Sequence, residues 1–353
     1  MIFMELNLIV ERIKHLIQRH LKLDKEVYLC GSGTFAFFQI LEDISFQDDE
    51  EVLLPDFLCE IVGIPLLISG VKFRLVDLKK DSILPSLNEY KEKYTSKTKA
   101  IFLAYLWGYV HEDLDAIIKW ARKKHLIIIE DISSSYGLSY KGKNLGTLGD
   151  YTFGSFGKGK IINYGQYGFY TLLKKNAPST NKAFSFFSKK IINYDSLIKK
   201  IRNITNGVIR KYLFLCLAKL HPLYLGYCMR SSDLDNLYNM LLKFSQIKQK
   251  RKNNTKFIFN NCKPSIDISL YPINNDQQIT TRVCCTCCDD SLLLQLRKKH
   301  YWVGSDFRYP ISKLLGQKTE KNTDTMAKHV FNVLTEPDNI TLKKTIHFIN
   351  KWR

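Results

Sequence analysis

Between residues 28 and 173, short and almost wholly apolar runs alternate with segments of helical spacing. "YLCGSG" (28–33) leads into "TFAFFQILEDI", and "EVLLPD" (51–56) leads into the apolar helical pattern "FLCEIVGIPLLISG". "VKFRLVDL" (71–78), "KAIFLAYL" (99–106), "LIIIED" (126–131), "YTFGSF" (151–156) and "GFYTLL" (168–173) read as further strands. Helical patterns such as "LDAIIKWARKKH" (114–125) lie between several of them. Strands that are apolar on both faces must be covered on both faces. The pattern therefore predicts an α/β fold with a mostly parallel central sheet and helices on each side.

The rest of the chain differs in character. Residues 1–24 read as an amphipathic helix, because charged and apolar residues interleave at helical spacing and the apolar block of a signal peptide is lacking. Residues 25–175 form the large domain and 176–228 a helical insertion or divergent segment. A smaller C-terminal α/β domain spans 229–353, with short strands in "TRVCCTCC" and "WVGSDFRYP" and a closing helix in "ITLKKTIHFINKW". Residues 208–227, "VIRKYLFLCLAKLHPLYLGY", fit a membrane-surface helix or a buried one. Their length and the interrupting His-Pro favour a buried helix or a helical insertion. No apolar run reaches the length of a membrane span.

The net charge of +19 fits an anionic partner or a surface bias toward lysine. The basic residues are scattered and no nucleic-acid motif accompanies them, so nucleic acid is not expected. Four of the nine cysteines lie in "RVCCTCCDD" (Cys284, Cys285, Cys287, Cys288). Adjacent residues of a strand point to opposite faces, so these four do not converge on one ion and no metal is expected. A cysteine-rich strand in a reducing cytoplasm is the reading they support.

In open parallel sheets ligands bind beyond the carboxyl ends of strands. Three places satisfy that rule. Ser32-Gly33-Thr34 opens a helix after a strand, where free N–H groups and the helix dipole suit a phosphate; an ordinary capped helix is the plainer alternative. Asp131 ends an apolar strand, where a carboxylate needs a cation or donors; a helix cap is the alternative. The third is "GSFGKGK", Gly154 to Lys160, which has the spacing of a phosphate-binding P-loop. It lacks the Ser or Thr after the lysine, since Ile161 follows, and "IINYGQYGFYTLL" does not begin a helix. A loop between strands fits better, and a buried lysine there can serve as an amine nucleophile. Cup, acid and lysine together match what pyridoxal phosphate requires.

With these residues in view, the chain resembles the DegT/DnrJ/EryC1/StrS family of sugar aminotransferases, with the fold-type-I architecture of pyridoxal-phosphate enzymes. The resemblance runs from about residue 25 to 173. It is carried by "GSGTFAFFQIL", "DDEEVLLPDFLCEIV", "TKAIFLAYLWGYVHEDLDAI" and "IIIEDISSSYGLSYKGKNLGTLGDYTFGSFGKGKIINYGQYGF". By position it implies Lys160 as the Schiff-base lysine and Asp131 as the acid on the pyridine nitrogen. Ser32, Gly33, Thr34 and Ser155 correspond to the phosphate ligands. Ser134 falls where the family usually has Gln or His near the ring hydroxyl. Tyr105 replaces a common histidine, Gln166-Tyr167-Gly168 replaces Glu-Gly-Gly, and Cys59 stands where many members have Phe or Trp, with Phe57 as the alternative aromatic. Members that act as dehydratases carry His in place of the lysine, so Lys160 argues against that branch.

The resemblance implies pyridoxal 5'-phosphate as cofactor and transamination from glutamate or glutamine to a keto-sugar carried on a nucleotide. It further implies a cytoplasmic homodimer serving surface polysaccharide or lipopolysaccharide synthesis. The departures leave open a non-catalytic relative acting as a binding or regulatory module. The apolar segment and basic charge leave open a weakly membrane-associated enzyme acting on lipid-linked glycans.

Overall fold

The structure is a computed structural model that describes residues 2–173, 197, 200–201, 203–225, 231–263, 265, 268–287, 289–298, 303–304 and 310–352. After helix α1 (Ile2–Leu21) come β1 (Val27–Cys30), helix α2 (Gly33–Ile44), β2 (Glu51–Pro55), β3 (Lys72–Val76), β4 (Thr98–Ala104) and β5 (Ile127–Asp131). A small hairpin, β6 (Ser139–Tyr140) and β7 (Lys143–Asn144), precedes β8 (Tyr151–Ser155) and β9 (Gly168–Thr171). The main sheet has seven strands in the order β1-β9-β8-β5-β4-β2-β3. The β3–β2, β2–β4, β4–β5 and β5–β8 pairings are parallel, and β9 runs antiparallel to both β8 and β1. The mostly parallel sheet expected from the apolar runs is therefore present.

Strand alternation sorts the core into two halves. On β4, Ala100, Phe102 and Ala104 pack with α2, while Ile101 and Leu103 pack on the opposite side with α1 and the helix Leu114–Lys123. The apolar stripe of α1, namely Ile9, Ile13, Leu16, Ile17 and Leu21, follows a helical period and joins Leu234, Leu237 and Leu241 of the helix Ser231–Leu242. The loop between β8 and β9 carries Lys160 and starts no helix, as the departure from a P-loop predicts.

A second sheet is antiparallel throughout, in the order β10 (Ile268–Leu270), β11 (Arg282–Cys287), β13 (Val330–Leu334), β12 (Val303–Gly304). The helices Phe244–Asn261 and Asn339–Asn350 cover it through Ile258, Leu342, Ile346 and Ile349. Cys284 faces the main core while Cys285 and Cys287 face the small one, so the cysteine strand divides between two faces. Cys288 lies outside the described residues.

The helix Gly207–Leu225 runs through His221-Pro222. It is helical, and only part of it is buried: Phe214 and Leu217 are buried, while Val208, Ile209 and Tyr212 are exposed. Residues 226–230 lie outside the described ones. Among the described residues no helix is long and apolar enough to cross a membrane.

Candidate active site

Because β9 is antiparallel to both neighbours, β1 and β8 point the same way as β5. The segments after β1, β5 and β8 therefore emerge at one end of the sheet, the carboxyl end where open α/β sheets bind ligands. They carry Ser32–Thr34, Asp131 to Ser134, and Ser155 to Lys160.

Alternation then chooses the face. Ile129 and Phe153 belong to the half-core around α2, so Asp131 and Ser155, two residues further on each strand, share that face. Ser32 caps α2, its Oγ accepting the Phe35 N–H at 3.1 Å. The first-turn N–H groups of Gly33 and Thr34 have no partner within the helix and point from its positive end. A Cβ at Gly33 would lie 2.9 Å from Ser155 Cβ, so only glycine lets the helix start lie this close to β8. Gly168 of β9 backs the same turn, with Gly33 N 2.6 Å from where its Cβ would be.

Asp131 accepts the Ser133 N–H at 2.8 Å through Oδ1. The residue keeps some exposed surface, yet its carboxyl is enclosed by protein atoms. Burial pushes its pKa up, while the Lys160 charge and the bonds from Ser133 pull it down. Lys160 Nζ lies 3.5 Å from Ser134 Oγ, and Ser134 is buried. The lysine amine thus lies beside Ser134, with its charge acting on Asp131. Lys158, two residues earlier, is exposed.

The departures from the family pattern have structural reasons. Tyr105 does not face the lysine. Its hydroxyl donates to Glu130 Oε1 at 2.6 Å on the opposite side of the sheet, beneath the site. Glu130 is fully buried and also accepts from the backbone N–H groups of Gly146, Leu148 and Gly149 at 3.0, 2.7 and 2.6 Å. Gln166 reaches Asp233 at 3.4 Å. Tyr167 adopts φ 68°, a left-handed conformation costing a non-glycine residue about 1–2 kcal/mol. Its ring is buried and stacks on Tyr164 at 5.8 Å, which offsets that cost. Phe57 is fully buried edge-on to Trp107, so it offers no open ring face, while Cys59 is partly exposed.

Several residues around the lysine loop carry no signal in the sequence. Arg251 of the helix Phe244–Asn261 donates to the backbone oxygens of Lys160 (2.7 Å) and Ile161 (3.3 Å). Asn163 donates to both oxygens of Glu336, at 2.6 and 2.8 Å, and accepts the Gly159 N–H at 3.1 Å. The Arg282 guanidinium covers Gly159, 2.5 Å from where a Cβ would stand, and Gly159 also has φ 75°, so glycine is required there. An arginine in a lysine-rich helix does not stand out in the sequence; only tertiary contact reveals what it touches.

The donor set fits pyridoxal phosphate: an acid at the end of β5, an amine beside it, and a helix N-terminus packed against a serine for the phosphate. Comparison with known proteins bears on the fold and the family. In sequence, the chain is 31% identical to GDP-perosamine synthase of Escherichia coli O157:H7 over 138 residues, which is 39% of this chain and 38% of that protein. The match thus spans well under half the length of that curated relative. In structure, it resembles S. venezuelae DesV in complex with a ketimine intermediate, with a TM-score of 0.76 at 15% identity over 98% of this chain and 89% of that one. It also resembles E. coli GDP-4-keto-6-deoxy-D-mannose-3-dehydratase with bound hydrated PLP, with a TM-score of 0.73 at 14% identity over 97% of this chain and 91% of that one. The expected fold class is therefore the observed one. The sequence profile of one family matches residues 10–190, just over half the chain, and the protein belongs to the DegT/DnrJ/EryC1/StrS aminotransferase family.

Proposed function

We propose that this protein is a pyridoxal-phosphate-dependent aminotransferase that transfers an amino group from an amino acid, glutamate or glutamine, to a keto-sugar carried on a nucleotide. The observation that carries the reading is the placement of Lys160 beside Ser134, with its charge acting on Asp131, at the carboxyl end of β5. When bound, pyridoxal phosphate supplies an electron-accepting ring that stabilises negative charge at the donor's α-carbon.

The chain's own residues do the rest. Asp131 holds a proton on the ring nitrogen. The N–H groups of Gly33 and Thr34, with the Ser155 hydroxyl, bind the phosphate, while Ser32 fixes the helix turn that presents them. Lys160 would hold the cofactor covalently, and its free amine would move a proton at the donor's α-carbon. Ser134 keeps the lysine amine within reach of that carbon. The name of the E. coli O157:H7 relative supports a nucleotide-linked sugar as acceptor.

In this reading residues 25–175 are the cofactor-binding unit and 229–353 the smaller unit beside it. The working form is a cytoplasmic homodimer serving surface polysaccharide or lipopolysaccharide synthesis. A visible absorbance spectrum tests the core of the proposal. The protein mixed with pyridoxal phosphate should turn yellow, and glutamate should bleach that band while 2-oxoglutarate accumulates. A protein that stays colourless would contradict the proposal and favour a non-catalytic binding module.

A further inference from the structure

The lysine loop is held from outside its own sheet. Arg251 is almost fully buried, and its guanidinium spends its donors on three groups. Nη2 donates to Lys160 O at 2.7 Å, Nε to Ile161 O at 3.3 Å, and Nη1 to Thr335 Oγ1 at 3.1 Å. Glu336, 3.7 Å away, balances its charge. The same carboxylate accepts both bonds from Asn163, whose Oδ1 takes the Gly159 N–H. A closed chain of contacts therefore grips the loop at Gly159, Lys160, Ile161 and Asn163.

Every outside anchor of this chain belongs to the C-terminal part of the protein. One helical turn after Arg251, Asn254 donates to Thr335 O and Pro337 O, both at 2.9 Å, fixing the turn that carries Glu336. The planar, five-donor fork of guanidinium holds two adjacent carbonyls and the Thr335 hydroxyl in one fixed geometry, which an ammonium, a compact point charge, does not reproduce. A buried arginine is costly to keep, and here its bonds go to the peptide that carries the candidate reactive amine.

We propose that Arg251 is a positioning residue that, with Asn163 and Glu336, sets where Lys160 presents its amine to Asp131 and Ser134. The inference rests on the aminotransferase reading for its purpose, but its geometry is independent of it. Two measurements on the full chain test it. One is the rate at which pyridoxal phosphate becomes covalently attached to Lys160. The other, made without cofactor, is amine labelling of Lys160 relative to Lys158 in the same molecule, read by mass spectrometry. Urea melts of each variant set labelling conditions in which global unfolding is too rare to expose Lys160, so the ratio reads its local placement.

Arg251→Met and Asn163→Ala should slow attachment by about 10²-fold, the cost of a misplaced reacting group. Both should also raise Lys160 labelling toward that of exposed Lys158. Arg251→Lys, which keeps the charge but not the fork, should fall between these and wild type. Arg122→Met, which removes an exposed arginine pair with Asp150, should change neither quantity. Attachment rate and labelling ratio both unchanged in Arg251→Met and Asn163→Ala would overturn the inference. If Arg251→Met does not fold, Asn163→Ala and Arg251→Lys decide by the same criteria. If wild type attaches no cofactor, the aminotransferase reading fails, and the labelling ratio still decides the role of Arg251.

Discussion

Glu130 and Asp131 are consecutive residues of one strand, and the two sides of the sheet treat them in opposite ways. Glu130 points into the half-core beneath the site, where one hydroxyl and three backbone N–H groups satisfy it. Asp131 points to the cleft side, where among the described residues Ser133 alone binds it, through its backbone N–H and its side chain, and a lysine supplies the countercharge. Burial raises both pKa values. What separates them is the donor count. A buried carboxylate with every lone pair engaged ties loops together, while one left partly open retains capacity for a ligand.

The largest expected effect comes from the amine opposite Asp131. Lys160→Ala should lower turnover by about 10²–10⁴-fold or more, the range for loss of a positioned acid or base. It should also abolish covalent cofactor attachment, and steady-state kinetics with a reduced-peptide map would check both. Next comes the pair of carboxylates. Asp131→Asn should cut turnover by about 10²-fold, yet change unfolding free energy by less than about 1 kcal/mol, because the amide keeps the Ser133 bond and no longer buries a charge. Glu130→Gln should do the reverse. Its amide NH₂ meets backbone donors, so stability should fall by about 2–4 kcal/mol while the folded fraction keeps its turnover. Denaturant melts and kinetics on the two variants together would break the comparison if both lost the same property.

A smaller effect sharpens it. Asp56 follows β2 at the same end of the sheet, fully buried, and accepts from the N–H and Oγ of Ser312. Burial raises its pKa from 3.8 to about 6, despite the opposing pull of Ser312. The protonated form therefore favours the fold. That contribution is full below pH 3.8 and is lost as pH rises through about 6. Asp56→Asn should remove about 2–3 kcal/mol of this pH dependence, at about 1.4 kcal/mol per pKa unit. Melts across that pH window measure it. An unchanged slope would mean that Asp56, unlike Asp131, is never short of donors.

Much of the site was legible because its parts are local. A cap residue before a helix, an acid ending an apolar strand and a lysine in a glycine loop each leave a mark over a few residues. Alternation along β5 even implies that Glu130 and Asp131 face apart. What Glu130 binds was not legible, since Tyr105 and the turn at Gly146–Gly149 reach it only through the folded sheet. Arg251 was hidden for the same reason: its partners lie some 90 residues away in sequence. Which side of the helix Gly207–Leu225 is buried was not legible for another reason. Its even apolar composition gives no clear face, so the exposure of Val208, Ile209 and Tyr212 could not be read from spacing.

The central claim is that Lys160, placed beside Ser134 by the Arg251 clamp and within the field of Asp131, is the amine that bonds the cofactor. Borohydride reduction of the protein with pyridoxal phosphate, followed by peptide mapping, tests it directly. The account requires the label on Lys160 and its disappearance in Lys160→Ala. A label on Lys158, or a protein that takes up none, would contradict it.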